Sequence, residues 1–196
     1  FPASVALFVI PTPLVSALFE HGATSNADVE AISLACSIYS LGLPAFILQK
    51  VLQQLYFSQE NTKLPFRFAL IAMIINGVLA VGLMGPFGWI APAIAVTISA
   101  WAMVGFLALG ASKFGDIARF SSRSRDRMIR IGFSAIGMGV ILWGVDVYTG
   151  MYADTTLTRA SYGFALVLGG LFVYIIFANL FGAIKLSDLR NALKRI

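Results

Sequence analysis

Positive charge in this chain falls in every second gap between its apolar stretches, and this alternation constrains the fold more than any other feature. There are six such stretches. The gap at 20–30 holds three acids and no Lys or Arg. The next, 57–67, holds Lys63 and Arg67, and the gap at 85–89 is uncharged. Residues 113–130 carry six basic side chains, whereas 146–159 carry only Arg159 against two acids. The tail, 185–196, has four basic residues. Twelve of the fourteen Lys and Arg residues therefore lie in alternate segments. The positive-inside rule leaves this pattern in a multi-spanning inner-membrane protein. It predicts that the start of the chain and its C-terminus face the cytoplasm, with three hairpins open to the far side.

The composition agrees with a lipid environment. Hydrophobic residues make up 59% and charged residues 12% of the chain, against about 45–50% apolar in soluble domains. A helical crossing needs about 20 mostly apolar residues. The stretches predict spans at 1–19, 30–57, 64–84, 89–112, 130–150 and 157–184. Their apolar runs are continuous, not alternating, which argues against a barrel. In lipid the backbone must satisfy its own polar groups, so the spans are expected to be helices. The fold class is all-α: a polytopic inner-membrane protein with six transmembrane helices. A basic linker at 113–130 separates residues 1–112 from two further helices in 131–184, and a basic tail follows at 185–196. The net charge of +5 points to anionic headgroups beside the cytoplasmic segments. Membrane lipids are the expected partners, with no nucleic acid.

Local signals mark the ends of the spans. Asn26, Asp28 and Glu30 place acids in the first turn of the second span, where they suit the helix dipole. Its other end is polar: Gln49, Lys50, Gln53, Gln54, Ser58 and Gln59 recur at three- and four-residue spacing, so one helix face is wet. Pro65 sits in the first turn of the third span, where a missing N–H does no harm. Gly85-Pro86-Phe87-Gly88 predicts a tight turn. Pro11, Pro13, Pro44 and Pro92 lie in or at the ends of spans, as in the discontinuous helices of transporters. The chain opens at Phe1 in an apolar run without a basic leader, which does not read as a signal peptide. It is expected to be the C-terminal part of something longer. Cys36 is the single cysteine, so no disulfide forms within the chain.

Several residues have two readings. Lys50 is the one basic residue placed inside a span; it either contacts a cavity or snorkels to the interface. Asn76, Thr97 and Ser99 lie at mid-membrane depth. They hold an ion or water, or they make interhelical and own-backbone hydrogen bonds. Glycines recur in the last two spans, among them Gly137, Gly139, Gly169 and Gly170. They let the two helices approach closely, or they leave a groove for a lipid tail. The basic segment with Arg119, Arg123, Arg125, Arg127 and Arg130 sets topology or binds anionic lipid. The tail has Leu186, Leu189, Leu193 and Ile196 at helical spacing and reads as an amphipathic surface helix. Asp146 and Asp154 are read as solvated acids, and His21 as an exposed turn residue without metal partners. No catalytic residues and no metal site are expected, so the chain does not read as an enzyme.

Specific runs resemble one family. Leu18-Phe19-Glu20-His21-Gly22-Ala23 is similar to an outer turn of the MurJ/MviN lipid II flippases. Tyr39-Ser40, Gly42-Leu43, Lys50-Val51-Leu52, Tyr56-Phe57-Ser58, Thr62-Lys63 and Pro65 resemble that family's C-terminal block. Asn76, Gly85-Pro86 and Gly88 continue it in register. Gln53-Gln54 stand where the family often has Ala-Pro. Ala80 stands where some members carry an acid of a cation site.

The resemblance implies a fourteen-helix, two-lobe transporter of the multidrug/oligosaccharidyl-lipid/polysaccharide exporter superfamily. This chain would supply helices nine to fourteen: four of the second lobe in 1–112 and two additional ones in 131–184. The implied substrate is lipid II, the undecaprenyl-linked peptidoglycan precursor, moved to the outer leaflet by alternating access. The N-terminal part of the same transporter, with the substrate-binding arginines, is the implied partner. Lys50, Gln49, Gln53 and Asn76 would line the substrate cavity. Gly137, Gly139, Gly169 and Gly170 would line a groove for the lipid tail. No cofactor is implied, and coupling to the membrane potential or to an ion has no evident site here. The alternatives are a related polysaccharide or O-antigen lipid exporter, and a membrane scaffold that does not transport.

Overall fold

The computed structural model describes residues 1–19, 25–111, 122–149 and 156–182. Residues 113–121 of the basic linker, the tail, His21 and Asp154 lie outside the described residues. Those described form seven α-helices and no strand: α1 (Pro2–Val9), α2 (Pro11–Phe19), α3 (Asn26–Ser58), α4 (Lys63–Phe87), α5 (Ala91–Ala111), α6 (Ser122–Thr149) and α7 (Thr156–Leu180).

Among the described residues, four helical stretches are long and apolar enough to cross a membrane, or five if α1 and α2 together make one span. One of the four, Lys63–Ala111, is 49 residues long. As one straight helix it would reach about 73 Å, against a hydrocarbon core of about 30 Å. It is a hairpin instead. Gly88 takes φ 53° at the end of α4, and the short 3₁₀ turn Gly88–Ile90 leads into α5. Phe68, near the start of α4, then stacks on Phe106, near the end of α5, at 6.0 Å. Five of the expected crossings are thus α3 to α7. The expected turn at 85–88 is shifted: α4 continues through Pro86, and the reversal waits for Gly88.

The expected span at 1–19 is not a continuous helix. It breaks at Ile10 into α1 and α2, which meet at 84°. Pro11 has no N–H to extend α1, and a residue before proline avoids the α region. Ile10 accordingly leaves it, at φ −125° and ψ 52°.

α3 starts at Asn26, at the expected opening turn with Asp28 and Glu30 and ahead of the apolar run expected from residue 30. Ser25 caps it in a reciprocal arrangement: the Ser25 N–H and Oγ donate to Asp28 Oδ2 at 2.9 and 2.7 Å, and the Asp28 N–H donates to Ser25 Oγ at 3.3 Å. This is a capping box with Asp in place of the usual Glu.

Two compact units organise the chain: Phe1–Ser33 with Ser121–Ile196, and Leu34–Phe120. In the second unit, Leu52 and Tyr56 of α3 pack on Met103, Leu107 and Ala111 of α5, with Leu64, Phe68 and Ala72 of α4 against them. The outer side of α4 is also apolar, with Phe66, Leu70, Met73, Ile74, Val78, Val81 and Met84 all exposed. A helix apolar all round belongs in a core or in lipid.

The end of α3 is a Schellman turn: the Asn61 N–H donates to Tyr56 O at 3.0 Å and the Glu60 N–H to Phe57 O at 3.0 Å. The motif puts its C′ residue in the left-handed region, normally as glycine. Here that residue is Glu60, at φ 54°. A left-handed L-residue costs about 1–2 kcal/mol. Glu60→Gly is therefore expected to stabilise the protein by about 1 kcal/mol, after the entropy of the added glycine is subtracted. A thermal melt in detergent would register this as a rise in Tm.

In the first unit, α6 and α7 form a hairpin, and the broken helix lies on it. Ile10, at the vertex of the break, is 1% exposed and packs with Met138 and Leu142 of α6 and Leu166 of α7.

Candidate functional site: the Lys50 strip and the glycine hairpin

The candidate site begins with the register of α3 against α5. Thr97 lies opposite Gly42, where an added Cβ would meet its Oγ1 at 3.4 Å. From that register four cross-helix donors each reach about one turn back toward the partner's N-terminus. Thr97 Oγ1 donates to Ile38 O at 3.0 Å and Trp101 Nε1 to Leu41 O at 3.0 Å. In return Gln49 Nε2 donates to Ala100 O at 2.8 Å and Tyr56 Oη to Leu107 O at 2.7 Å. Helical side chains lean toward their own N-terminus, so this pattern requires α3 and α5 to run parallel. With α4 antiparallel between them in sequence, the α3–α4 turn and the end of α5 lie on the same side. That is the geometry the alternating charge requires of the segments carrying Lys63, Arg67 and the linker.

The four predicted cavity residues fall into different settings. Gln49 is half-buried and its amide is held by α5. One of its two N–H groups thus braces the helix pair. Lys50 is exposed and makes no hydrogen bond or ion pair among the described residues. Gln53, half-buried, and Gln54, exposed, continue its flank of α3. Asn76 is half-buried, on the α4 face that carries Phe68, Ala72 and Leu83. Counted along the helices from the Tyr56–Phe68 edge contact, Lys50 lies about 9 Å and Asn76 about 12 Å from that level. The two share a depth, on separate helices. Thr97 bonds across to α3, and Ser99 bonds Val96 O of its own helix at 3.0 Å.

The predicted groove glycines are similarly divided. A Cβ at Gly137 would lie 2.6 Å from the Phe177 ring, at Gly139 2.6 Å from Val5, and at Gly170 3.1 Å from Leu142. These three are close-packing positions, filled by α7, α1 and α6 respectively. Gly169 has nothing within 4 Å, and Leu168, Leu171 and Phe172 beside it are exposed. Of the four predicted groove glycines, Gly169 alone faces open space, among exposed apolar side chains of α7.

Sequence reasoning missed the clasps at the two ends of the hairpin. Tyr162 Oη donates to Asp146 Oδ1 at 3.0 Å and lies 3.0 Å from Thr149 Oγ1, so Asp146 is a structural acceptor as well as a surface acid. At the other end Arg130 Nη1 donates to Phe181 O at 3.4 Å, where α7 stops and Gly182 turns to φ 65°. A cation there also suits the negative end of the helix dipole. Arg130 could be found in the sequence only as one of a basic run, and nothing in that run singles it out as a cap. Among the described residues no group of three or more His, Cys, Asp or Glu could hold a metal ion. The chemistry around Lys50 is an exposed cation with Gln53 and Gln54 on its flank of α3.

These features define a multi-pass α-helical membrane protein. Residues 1–163 match the family described as Lipid II flippase MurJ. The chain belongs to that family, whose members are transporters and not enzymes. It is 29% identical over 196 residues to a probable lipid II flippase MurJ of Rhizobium tropici, covering 99% of this chain and 37% of the relative. A protein of the same description from Vibrio cholerae is 30% identical over 192 residues, covering 97% and 36%. One from Rhizobium meliloti is 31% identical over 202 residues, covering 99% and 37%. The chain therefore spans a little over a third of the length of these relatives.

Proposed function

We propose that this chain is the C-terminal part of a lipid II flippase, which moves the lipid-linked peptidoglycan precursor from the inner to the outer leaflet by alternating access. The family match over residues 1–163 carries the reading. Residues 1–112 would complete the second lobe of the transporter, and 131–184 would add two helices to it. The end of the second unit that bears Lys63 and Arg67 faces the cytoplasm in this reading, as does the C-terminus. Lys50 offers an exposed ammonium to the anionic head of the substrate, with the Gln53 amide beside it. Gln49 keeps α3 and α5 in register beneath them. The polyprenyl tail runs along the open apolar face at Gly169.

The test uses the complete transporter that contains this chain, expressed in cells whose own lipid II flippase can be depleted. Lipid II is then labelled from outside. The expected result is restored growth and outer-leaflet lipid II. The reading is overturned if the protein is present in the membrane and lipid II remains confined to the inner leaflet.

A further inference from the structure

Each half of the broken first helix is seated on a different helix of the hairpin, and each seat is a glycine. Gly139 of α6 receives α1: an added Cβ would lie 2.6 Å from Val5 Cγ1 and 3.4 Å from Val9 Cγ2. Gly163 of α7 receives α2: an added Cβ would lie 2.5 Å from Ala17 Cβ and 3.3 Å from Pro13 O. Between the seats the vertex residue Ile10 is enclosed by Met138, Leu142 and Leu166. The break is thus held from both sides. Pro11 removes a helical N–H and favours the break, and the two glycines let the halves approach α6 and α7 at backbone distance. The hairpin itself is clasped at both ends, by Tyr162 on Asp146 and by Arg130 on Phe181 O. The elbow therefore packs on the hairpin through both of its halves and through its vertex.

We infer that the α1–α2 elbow and the α6–α7 hairpin travel as one body throughout transport, with Gly139 and Gly163 as the coupling positions. The two additional helices are then positioned through the elbow. This rests on the transport reading for its consequence, but not for the coupling itself.

A disulfide across one seat tests the coupling. In the complete transporter, with all other cysteines replaced, Val5→Cys and Gly139→Cys place a sulfur and a Cβ within disulfide reach. Oxidation is expected to cross-link nearly all of the protein, and the cross-linked transporter is expected to support growth within about twofold of its reduced form. Cross-linking that abolishes growth, with recovery on reduction, would mean that the seat opens during the cycle and would overturn the inference. So would failure to cross-link in a transporter that still supports growth.

If the unmodified transporter does not support growth, the flippase reading fails separately and the seat is judged by cross-link yield alone. Spin labels on the exposed positions Phe8 and Val140 leave both seats intact and cover the case in which the cysteine pair does not fold. They should give one distance that does not change when lipid II is added. Two distances, or a shift, would overturn the coupling.

Discussion

Gly163→Ala is expected to destabilise the complete protein, and Gly169→Ala to stabilise it, although both add the same methyl group to the same helix. At Gly163 the new carbon would lie 2.5 Å from Ala17 Cβ and 3.3 Å from Pro13 O. Both obstacles are fixed to the backbone, so α2 and α7 must move apart. Overpacking of this kind costs about 1–3 kcal/mol. At Gly169 nothing lies within 4 Å, and exchanging a helical glycine for alanine gains up to about 1 kcal/mol. Gly137 falls between the two. Its obstacle is the Phe177 ring, a movable group, but that ring is stacked on Phe181 at 6.1 Å. Thermal melts of the three variants in detergent should therefore rank Gly163→Ala lowest and Gly169→Ala highest. Equal melting temperatures for Gly163→Ala and Gly169→Ala would show that the α2–α7 seat is absent. Gly169→Leu adds a functional readout. If the substrate tail uses that face, it should reduce transport while leaving the melting temperature at or above that of the unaltered protein.

The sequence makes the lipid environment plain, because long apolar runs with no alternation admit only helices in a membrane. It also places five of the six crossings closely. The break at Ile10 is the instructive miss. Pro11 and Pro13 are visible as helix breakers, but the angle they produce depends on where Ile10 finds a cavity, and Met138, Leu142 and Leu166 lie more than a hundred residues away in sequence. The glycines fail for the same reason. Gly139, Gly163 and Gly169 are indistinguishable as letters, and only the partner helix decides which is filled. Gln49 illustrates a third limit. Its spacing with Lys50 and Gln53 predicts a shared wet face, yet Gln49 and Tyr56, seven residues apart, bond Ala100 and Leu107, also seven apart. That second periodicity appears only when both helices are in view. Lys50 stands out in the sequence because an ionisable residue in an apolar span is conspicuous without sight of a partner.

Lys50→Ala should reduce transport at least tenfold and leave stability unchanged, while Gln49→Leu should do the reverse in its first effect. Lys50 makes no hydrogen bond or ion pair among the described residues, so its removal breaks no such contact among them. Its loss to an anionic substrate is that of a charge-assisted hydrogen bond, about 1.5–3 kcal/mol, which is roughly 10- to 100-fold in affinity. Lys50→Arg keeps the charge and should retain most activity. Gln49 donates to Ala100 O at 2.8 Å. A hydrogen bond between membrane helices is worth about 0.6 kcal/mol on average, so Gln49→Leu should lower the melting temperature slightly and affect transport only through that loosening. The comparison is made by depletion growth assays and detergent melts on the same set of variants. Normal growth in Lys50→Ala would assign its ammonium to the membrane interface by snorkelling, and the cavity role would then be wrong. A melting temperature that falls in Lys50→Ala would mean that the side chain holds the fold, and any loss of transport could not then be read as loss of a substrate contact.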